Sequence, residues 1–500
     1  MDKMKPKYYL TTPLYYVNDV PHIGHAYTTI AADVLARYKK SKGFDVHFLT
    51  GTDEHGQKVW KAAEAQGKTP QQFVDDIAPR FETAWKQLGI EYDDFIRTTE
   101  PRHVATVQKI FSKLLKQGDI YKDEYEGWYC ISCESFWLEG QLIGDITAQP
   151  FCPDCKGKTE RLREESYFFR LSKYQKKLED YIVTNKTFIQ PDSRRNEIIQ
   201  FIKQNLRDLS ITRTAFPWGV MVPNDQKHVV YVWFDALINY ISAIGYLQDD
   251  NKFNKWWPAD VHLMGKEIVR FHAVIWPAIL MALDLPLPKQ VFGHGWWTVE
   301  GQKMSKSKGN VVDPLALSSE FGVEAVRYFI MREVAFGADG DFSMNSFINR
   351  YNADLANDLG NLLSRTLTMI EKYFQGQVPR SKGQEEDELT QGLNKLITGT
   401  PKAVDAAMDK LAFSDALAVI WQMVSAANIY IEKQAPWALA KKGETDQLAT
   451  VMSTLVQVIK TTAELIAPFM PETSTKILAQ LNLGGEKVAK GGPLFPRIAR

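Results

Sequence analysis

Apolar and polar positions change their pattern twice along the chain. From residue 5 to about residue 115, short strand-like runs alternate with helical ones. Tyr8-Tyr9-Leu10-Thr11-Thr12 reads as a strand and leads into a turn with Pro13, Asn18, Asp19 and Pro21. A helical pattern from about Tyr27 to Lys40 is closed by Ser41-Lys42-Gly43. Asp45-Val46-His47-Phe48-Leu49-Thr50 is a parallel-strand candidate; Gln57 to Gln66 reads helical, and Gly67 stops it. The alternation resumes after an interruption. His228-Val229-Val230-Tyr231-Val232-Trp233 is a β-branched run expected as a buried strand of the same sheet. After Asp235 a helix carries Leu237, Tyr240 and Ile244; Val261-His262-Leu263-Met264 is another strand. The next helix sets Ile268, His272 and Trp276 at successive i, i+4 steps on one face. From about Asp313 strand signals fade, and Leu355, Leu359, Leu362 and Leu363 mark a long amphipathic helix. Gly376 to Glu386 is a polar connector, and residues 388–480 predict three or more further helices.

The fold expected is α/β: a doubly wound parallel sheet of Rossmann type, interrupted by an insertion and followed by an α-helical bundle. Residues 1–117 and 224–300 form the two halves of the sheet domain and 118–223 the insertion. Residues 301–355 form a loop and connecting stem, and 356–500 the bundle. Composition leaves this picture unchanged: 500 residues, hydrophobic 45% and charged 24%, with no low-complexity tract or internal repeat. Sixty basic and sixty acidic residues cancel, so a nucleic-acid partner has no global steering and needs a local basic face. The start, with Lys3, Lys5 and Lys7, lacks the apolar core of a signal peptide. The longest apolar run, Ala273 to Leu283, is too short for a bilayer and contains Pro277. A soluble cytoplasmic protein without a membrane partner is expected.

Candidate chemistry lies in three places. His22-Ile23-Gly24-His25 stands between the first strand and the first helix, where backbone N–H groups stabilise an anion. Two imidazoles three positions apart add donors toward one phosphate, and Gly24 leaves room for a flat ring. Far downstream, Lys303-Met304-Ser305-Lys306-Ser307 occupies a loop from Gly301 to Gly309; two lysines and two serines suit a polyphosphate. In a doubly wound sheet, ligands gather beyond the carboxyl ends of strands. Tyr16, the His22–His25 turn and the Asp53–His55 loop are therefore expected at one crevice. Asp53 also fits a helix cap, and the Ile268–His272–Trp276 face fits core packing around one satisfied histidine. The only four cysteines, Cys130, Cys133, Cys152 and Cys155, form two Cys-x-x-Cys pairs with eighteen residues between them. That spacing predicts a zinc ribbon, structural in role because four sulfurs leave no position for water.

The first two signatures, in this order, resemble the HIGH and KMSKS motifs of class I aminoacyl-tRNA synthetases. The whole series of features is similar to the methionyl-tRNA synthetases over essentially the full chain. Synthetases for isoleucine, valine and leucine carry much longer insertions, and a cysteinyl enzyme needs zinc at its amino-acid site. The resemblance implies a methionine pocket of Leu14, Tyr16, Asp53, Trp233, Tyr240, Ile268, His272 and Trp276, with Asp53 and the Leu14 carbonyl on the ammonium group. It implies ATP contacts from His22, Gly24, His25, Gly265, Glu267, His294 and Lys306, and catalytic roles for His22, His25, Lys303 and Lys306. Glu267 departs from the family's aspartate but keeps the carboxylate on a longer stem. The implied partners are ATP with Mg2+, L-methionine and tRNA(Met), whose anticodon would be read by Asn361, Arg365 and Trp437. Trp437, just after Pro436, also fits packing between helices. The chain stops soon after Leu494-Phe495-Pro496-Arg497, without the further C-terminal domain of many members, so a monomer is expected. The rival reading is a non-catalytic tRNA-binding paralogue that keeps the fold. A nucleotidyltransferase of related fold would leave the cysteines and the bundle without a purpose.

Overall fold

Lys7–Thr11 is the strand on which the parallel sheet turns. Tyr9 and Leu10 are fully buried, and the strand pairs in parallel on both sides. Asp45–Asp53 runs along one side, from Lys7↔Asp45 to Thr11↔Leu49; Val261–Gly265 runs along the other, through Leu10↔Val261 and Thr11↔His262. Across the sheet the order is Tyr15–Tyr16, Asp45–Asp53, Lys7–Thr11, Val261–Gly265, Val291–His294 and Ile189–Gln190, with Asp94–Arg97 also paired to Asp45–Asp53. Strand order therefore reverses at Lys7–Thr11, which opens a crevice beyond its carboxyl end. The computed structural model describes residues 5–17, 21–133, 135–137, 139–303, 311–381 and 387–499.

The chain divides into two compact units, and the first holds this sheet together with the insertion. The insertion is antiparallel: Ile120–Cys130 pairs with Ser135–Trp137 and, over its length, with Glu160–Phe169, which pairs in turn with Leu209–Ser210. Phe169 and Tyr167 pack into the same core as Tyr9, Phe234 and Trp276.

Two stretches differ from the sequence pattern. Asp225–Val230 is a strand, but it lies antiparallel between Thr212–Arg213 and Met221–Val222 in a separate sheet, and Val232–Leu237 is a helix. Val229 through Leu237 are all buried, so apolarity marks the burial of this run without saying which sheet it joins. The Ile268–Trp276 helix is also irregular: a 3-10 turn at Lys266–Ile268, a π-helix over Phe271–Ile275, then an α-helix Trp276–Ala282. Pro277 has no N–H for the carbonyl four residues back, at Ala273, and its ring crowds that carbonyl, so the preceding turn widens.

The second unit comprises His22–Lys42, Gln87–Gly89 and the chain from Gly295 on. It contains the helix Ile23–Ser41, a small sheet of Gln302–Lys303, Trp297–Val299 and Gly340–Phe342, and then helices. The longest of these are Asn361–Phe374, Glu388–Met408, Phe413–Gln434 and Thr445–Ile466. Leu355, Leu359, Leu362 and Leu363 are buried as their spacing predicts, although Tyr351–Gly360 is wound as a π-helix. No helix among the described residues is long and apolar enough to cross a membrane.

Candidate active site

Asp53 ends the strand Asp45–Asp53 beside Tyr16, its register partner on Tyr15–Tyr16. The next residue holds the turn: buried Glu54 takes Arg97 Nε at 2.6 Å and Nη2 at 3.0 Å, and Thr52 Oγ1 at 2.7 Å. Asp53 lines a narrow cavity with Pro13, Leu14, Tyr16, Trp233, Ala236, Leu237, Asn239, Tyr240 and His272. Asp53 is the only carboxylate among these residues.

Much of the lining is aromatic. Trp233 stacks on Phe271 at 3.8 Å and 4°, and Tyr16 meets Trp233 edge-on. Tyr240 Oη lies 2.8 Å from His272 Nε2, and His272 Nδ1 lies 3.0 Å from the Ile268 carbonyl. A carbonyl only accepts, so Nδ1 carries the hydrogen, and Nε2 accepts from the Tyr240 hydroxyl. Burial holds His272 neutral by pushing its pKa down to about 4. Trp276 lies outside the cavity: its ring packs against Tyr240, and its Nε1 donates to His262 Nε2 at 3.3 Å. His262 Nδ1 then meets Thr11 Oγ1 at 2.7 Å, and burial drives the His262 pKa well down. Trp276 thus braces the wall, and Ile268 enters through its backbone carbonyl.

At the neighbouring strand ends Gly265 and His294 are register partners. A Cβ at Gly265 would fall 2.6 Å from the Glu267 carboxylate oxygens, so glycine there gives that carboxylate its place. In the second unit, His22 caps the helix Ile23–Ser41. Its Nδ1 accepts from the Gly24 N–H at 3.1 Å, and His25 Nδ1 accepts from the His22 N–H at 3.4 Å. The rings stack at 3.9 Å. Burial, then the neighbouring His22, drives the His25 pKa well down. With both Nδ1 atoms accepting, hydrogen sits on Nε2 of each neutral ring, and both are donors. A Cβ at Gly24 would come within 2.9 Å of the His22 ring, so a larger residue there would push that ring from its place. Lys303 lies on Gln302–Lys303, paired to Thr298, and Lys306 lies outside the described residues.

The sulfurs of Cys130, Cys133, Cys152 and Cys155 all lie within 4.8 Å of one another, and none is in a disulfide. Cys130 and Cys155 are 3.5 Å apart, Cys133 and Cys152 3.9 Å. Tetrahedral ligands at about 2.3 Å from a zinc ion stand about 3.8 Å apart, so the four fit a closed structural metal site. Arg270 bridges this ribbon and the cavity wall. Its guanidinium lies 3.5 Å from Asp154 Oδ2, 4.9 Å from the Trp137 ring centre and 5.1 Å from that of Phe271, the residue stacked on Trp233.

Two family models match the chain: tRNA synthetases class I (M) over residues 8–163 and 140–367, and the anticodon binding domain of methionyl tRNA ligase over 378–490. Methionine–tRNA ligase of Caldanaerobacter subterraneus subsp. tengcongensis is 55% identical, across 99% of this chain and 79% of that one. Methionine–tRNA ligase of Bacillus subtilis is 51% identical, across 98% of this chain and 78% of that one. Mycobacterium tuberculosis methionyl-tRNA synthetase in complex with methionyl-adenylate superposes with a TM-score of 0.95 at 41% identity, covering 99% of this chain and 100% of that one. The chain belongs to the methionyl-tRNA synthetases.

A methionyl-tRNA synthetase also needs a surface for its tRNA. Asn361 is exposed at the first turn of Asn361–Phe374, and Arg365, one turn on, pairs with Glu432 at 2.6 Å. Glu432 lies near the end of Phe413–Gln434, and left-handed Ala435 then turns the chain into Pro436–Lys442. Trp437 is 45% exposed there. Four cavity residues escaped the sequence reading: Pro13, Ala236, Leu237 and Asn239. Trp233, Ala236, Leu237 and Tyr240 follow i, i+3, i+4, i+7, so a helical reading from Val232 onward finds two of them.

Proposed function

We propose that the chain activates L-methionine with ATP, giving methionyl-adenylate and pyrophosphate, and transfers methionine to the 3′-terminal ribose of tRNA(Met). The make-up of the cavity carries this reading: one residue with a carboxylate shares the lining with aromatic rings and a neutral hydroxyl–imidazole pair. An ammonium group entering this cavity belongs at its one carboxylate, Asp53, since an ammonium taken out of water needs an opposite charge. A thioether belongs among Tyr16, Trp233 and Tyr240, because sulfur is polarizable and favours aromatic contact.

In the first step a methionine carboxylate oxygen attacks the α-phosphorus of ATP, and the bond to the pyrophosphate oxygen breaks. No protein nucleophile is needed; the site acts by positioning and by stabilising charge. Asp53 and the Leu14 carbonyl orient the ammonium. His22 and His25 donate from Nε2 to phosphate oxygens, Gly265, Glu267 and His294 hold the nucleoside, and Lys303 and Lys306 follow the pyrophosphate. Mg2+ enters with the ATP phosphates and offsets their charge. In the second step the 2′-hydroxyl of the terminal ribose attacks the acyl carbon, and AMP leaves. Asn361, Arg365 and Trp437 read the anticodon; of the three, Trp437 lies inside the stretch that matches the anticodon binding domain, residues 378–490. The four cysteines hold one structural zinc.

ATP–pyrophosphate exchange driven by each of the twenty amino acids in turn tests this reading. Exchange with methionine is expected. Exchange with none would favour the non-catalytic paralogue, and exchange with another amino acid alone would overturn the assignment of the cavity.

A further inference from the structure

Asp235 is wholly buried and has a histidine on each carboxylate oxygen. His55 Nδ1 lies 2.6 Å from Oδ2, and His103 Nε2 lies 2.7 Å from Oδ1. The other nitrogen of His103 is 2.9 Å from Ser242 Oγ. His55, His103 and Ser242 are buried as well. A carboxylate only accepts, so both facing ring nitrogens carry hydrogen and donate. Burial works to raise the Asp235 pKa, yet the charge of His55 and the hydrogen bonds from both rings leave it below the usual carboxylate value.

The cluster lies where the cavity needs a fixed dimension. His55 follows Asp53 by two residues, in the turn that ends Asp45–Asp53. Asp235 follows Trp233 by two residues on Val232–Leu237, and Ser242 follows Tyr240 by two on Asn239–Ser242. His103 stands on Pro101–Lys116, a helix that gives no residue to the cavity. One carboxylate therefore ties together the segments bearing the cavity's acid, its stacked indole and its hydroxyl, and anchors them to an outside support. An apolar trio could fill the same space at equal or better stability, because buried ion pairs cost much in desolvation. Hydrogen bonds add direction, which apolar packing lacks, and a discriminating site must be held to about half an ångström.

We propose that His55, Asp235 and His103 are positioning residues which set the distance between Asp53 and the Trp233–Tyr240 wall, and so match the cavity to an amino acid of methionine's length. This rests on the methionine reading above. It makes His103, which does not line the cavity, a determinant of amino-acid recognition but not of ATP use.

The test compares His103→Leu, which removes the donor to Asp235, with His103→Gln, whose amide keeps one. In the full chain, methionine binding without ATP is followed by intrinsic tryptophan fluorescence, and KM values for methionine and for ATP by pyrophosphate exchange. His103→Leu is expected to weaken methionine binding and raise its KM by about tenfold or more, as sub-ångström misplacement does. The KM for ATP should stay where it is, and preference for methionine over leucine should narrow. His103→Gln should recover most of the loss. If His103→Leu does not fold, Ser242→Ala, which unties only the far side of His103, carries the test with the same split at smaller amplitude. Equal changes for methionine and ATP, an unchanged methionine affinity in folded variant, or a Gln variant no better than Leu would overturn the proposal. Wild-type protein that fails to activate methionine would instead overturn the reading on which it rests.

Discussion

His272 gives its Nδ1 hydrogen to the Ile268 carbonyl and takes the Tyr240 hydroxyl on Nε2, so a proton added to the ring would displace one of two good bonds. Burial draws its pKa to about 4 from an ordinary 6.5, and that of His47 likewise to about 4. In the unfolded chain both rings bind a proton near the ordinary value, so between those limits the unfolded state holds more protons. Their contribution to stability is therefore whole above about pH 6.5 and is lost as pH falls toward 4. A urea-unfolding series should show the midpoint falling through that window, and His272→Gln should flatten part of the fall; an equally steep fall in the variant would remove His272 as a source. Asp53 is tested more directly. Asp53→Ala should nearly abolish pyrophosphate exchange while the circular dichroism of the fold persists, and near-normal exchange would take Asp53 out of the site. Replacing His22 with Ala should lower the exchange rate by about a hundredfold or more, as loss of a transition-state donor does, with methionine binding kept. Equal losses in rate and binding would point to the helix cap that His22 also forms.

Among the elements, the cysteine ribbon and the helices that match the anticodon binding domain can each be tested apart from the cavity. Two short knuckles at the ends of antiparallel strands bring four sulfurs together, and Arg270 joins that ribbon to Phe271 and, by stacking, to Trp233. One zinc per chain is expected from metal analysis of purified protein, and a fully active preparation free of metal would sink that assignment. In the helical unit, Trp437 stands exposed after the left-handed turn at Ala435. Stacking of a base on an aromatic ring is worth roughly 1–3 kcal/mol, so Trp437→Ala should weaken charging of a tRNA with a CAU anticodon by about one to two powers of ten. Adenylate formation should be untouched. If exchange and charging fall together, Trp437 holds the fold and reads nothing.

Within the second compact unit, one buried ion pair joins parts distant in sequence. Asp33 on Ile23–Ser41 meets Arg327 Nη2 at 2.5 Å, with Arg37 Nε on the same oxygen at 2.9 Å. Arg327 also donates to the carbonyls of Phe469, Pro468 and Leu88. Removing one partner of a buried pair costs about 3–5 kcal/mol, and here Arg37, still on Asp33, offsets part of that. Arg327→Met should accordingly lower the urea midpoint sharply, and a second change, Asp33→Asn, should restore part of the loss. A double variant no better than the single one would show that the backbone carbonyls, not Asp33, are what Arg327 serves.

What the sequence determined by itself is what depends on near neighbours. The place of the His22–His25 turn between the first strand and the first helix follows from local pattern, as does the cysteine ribbon from two fixed spacings; the strand expected to stop at Thr50 runs on to Asp53, and the helix expected from Tyr27 starts at Ile23, capped by His22. The helices of the second unit followed from their apolar period. Tertiary structure alone decided the rest, because periodicity reports that a residue is buried but not against what. It sent the run from His228 partly to an antiparallel sheet and partly to a helix, and it let Pro277 open a π turn between His272 and Trp276, lining the cavity with one and bracing it with the other. It also brought His55 to Asp235 across 180 positions and His103 across 132, contacts that no local pattern encodes. A carboxylate closed off from water must find its donors wherever the packed chain places them.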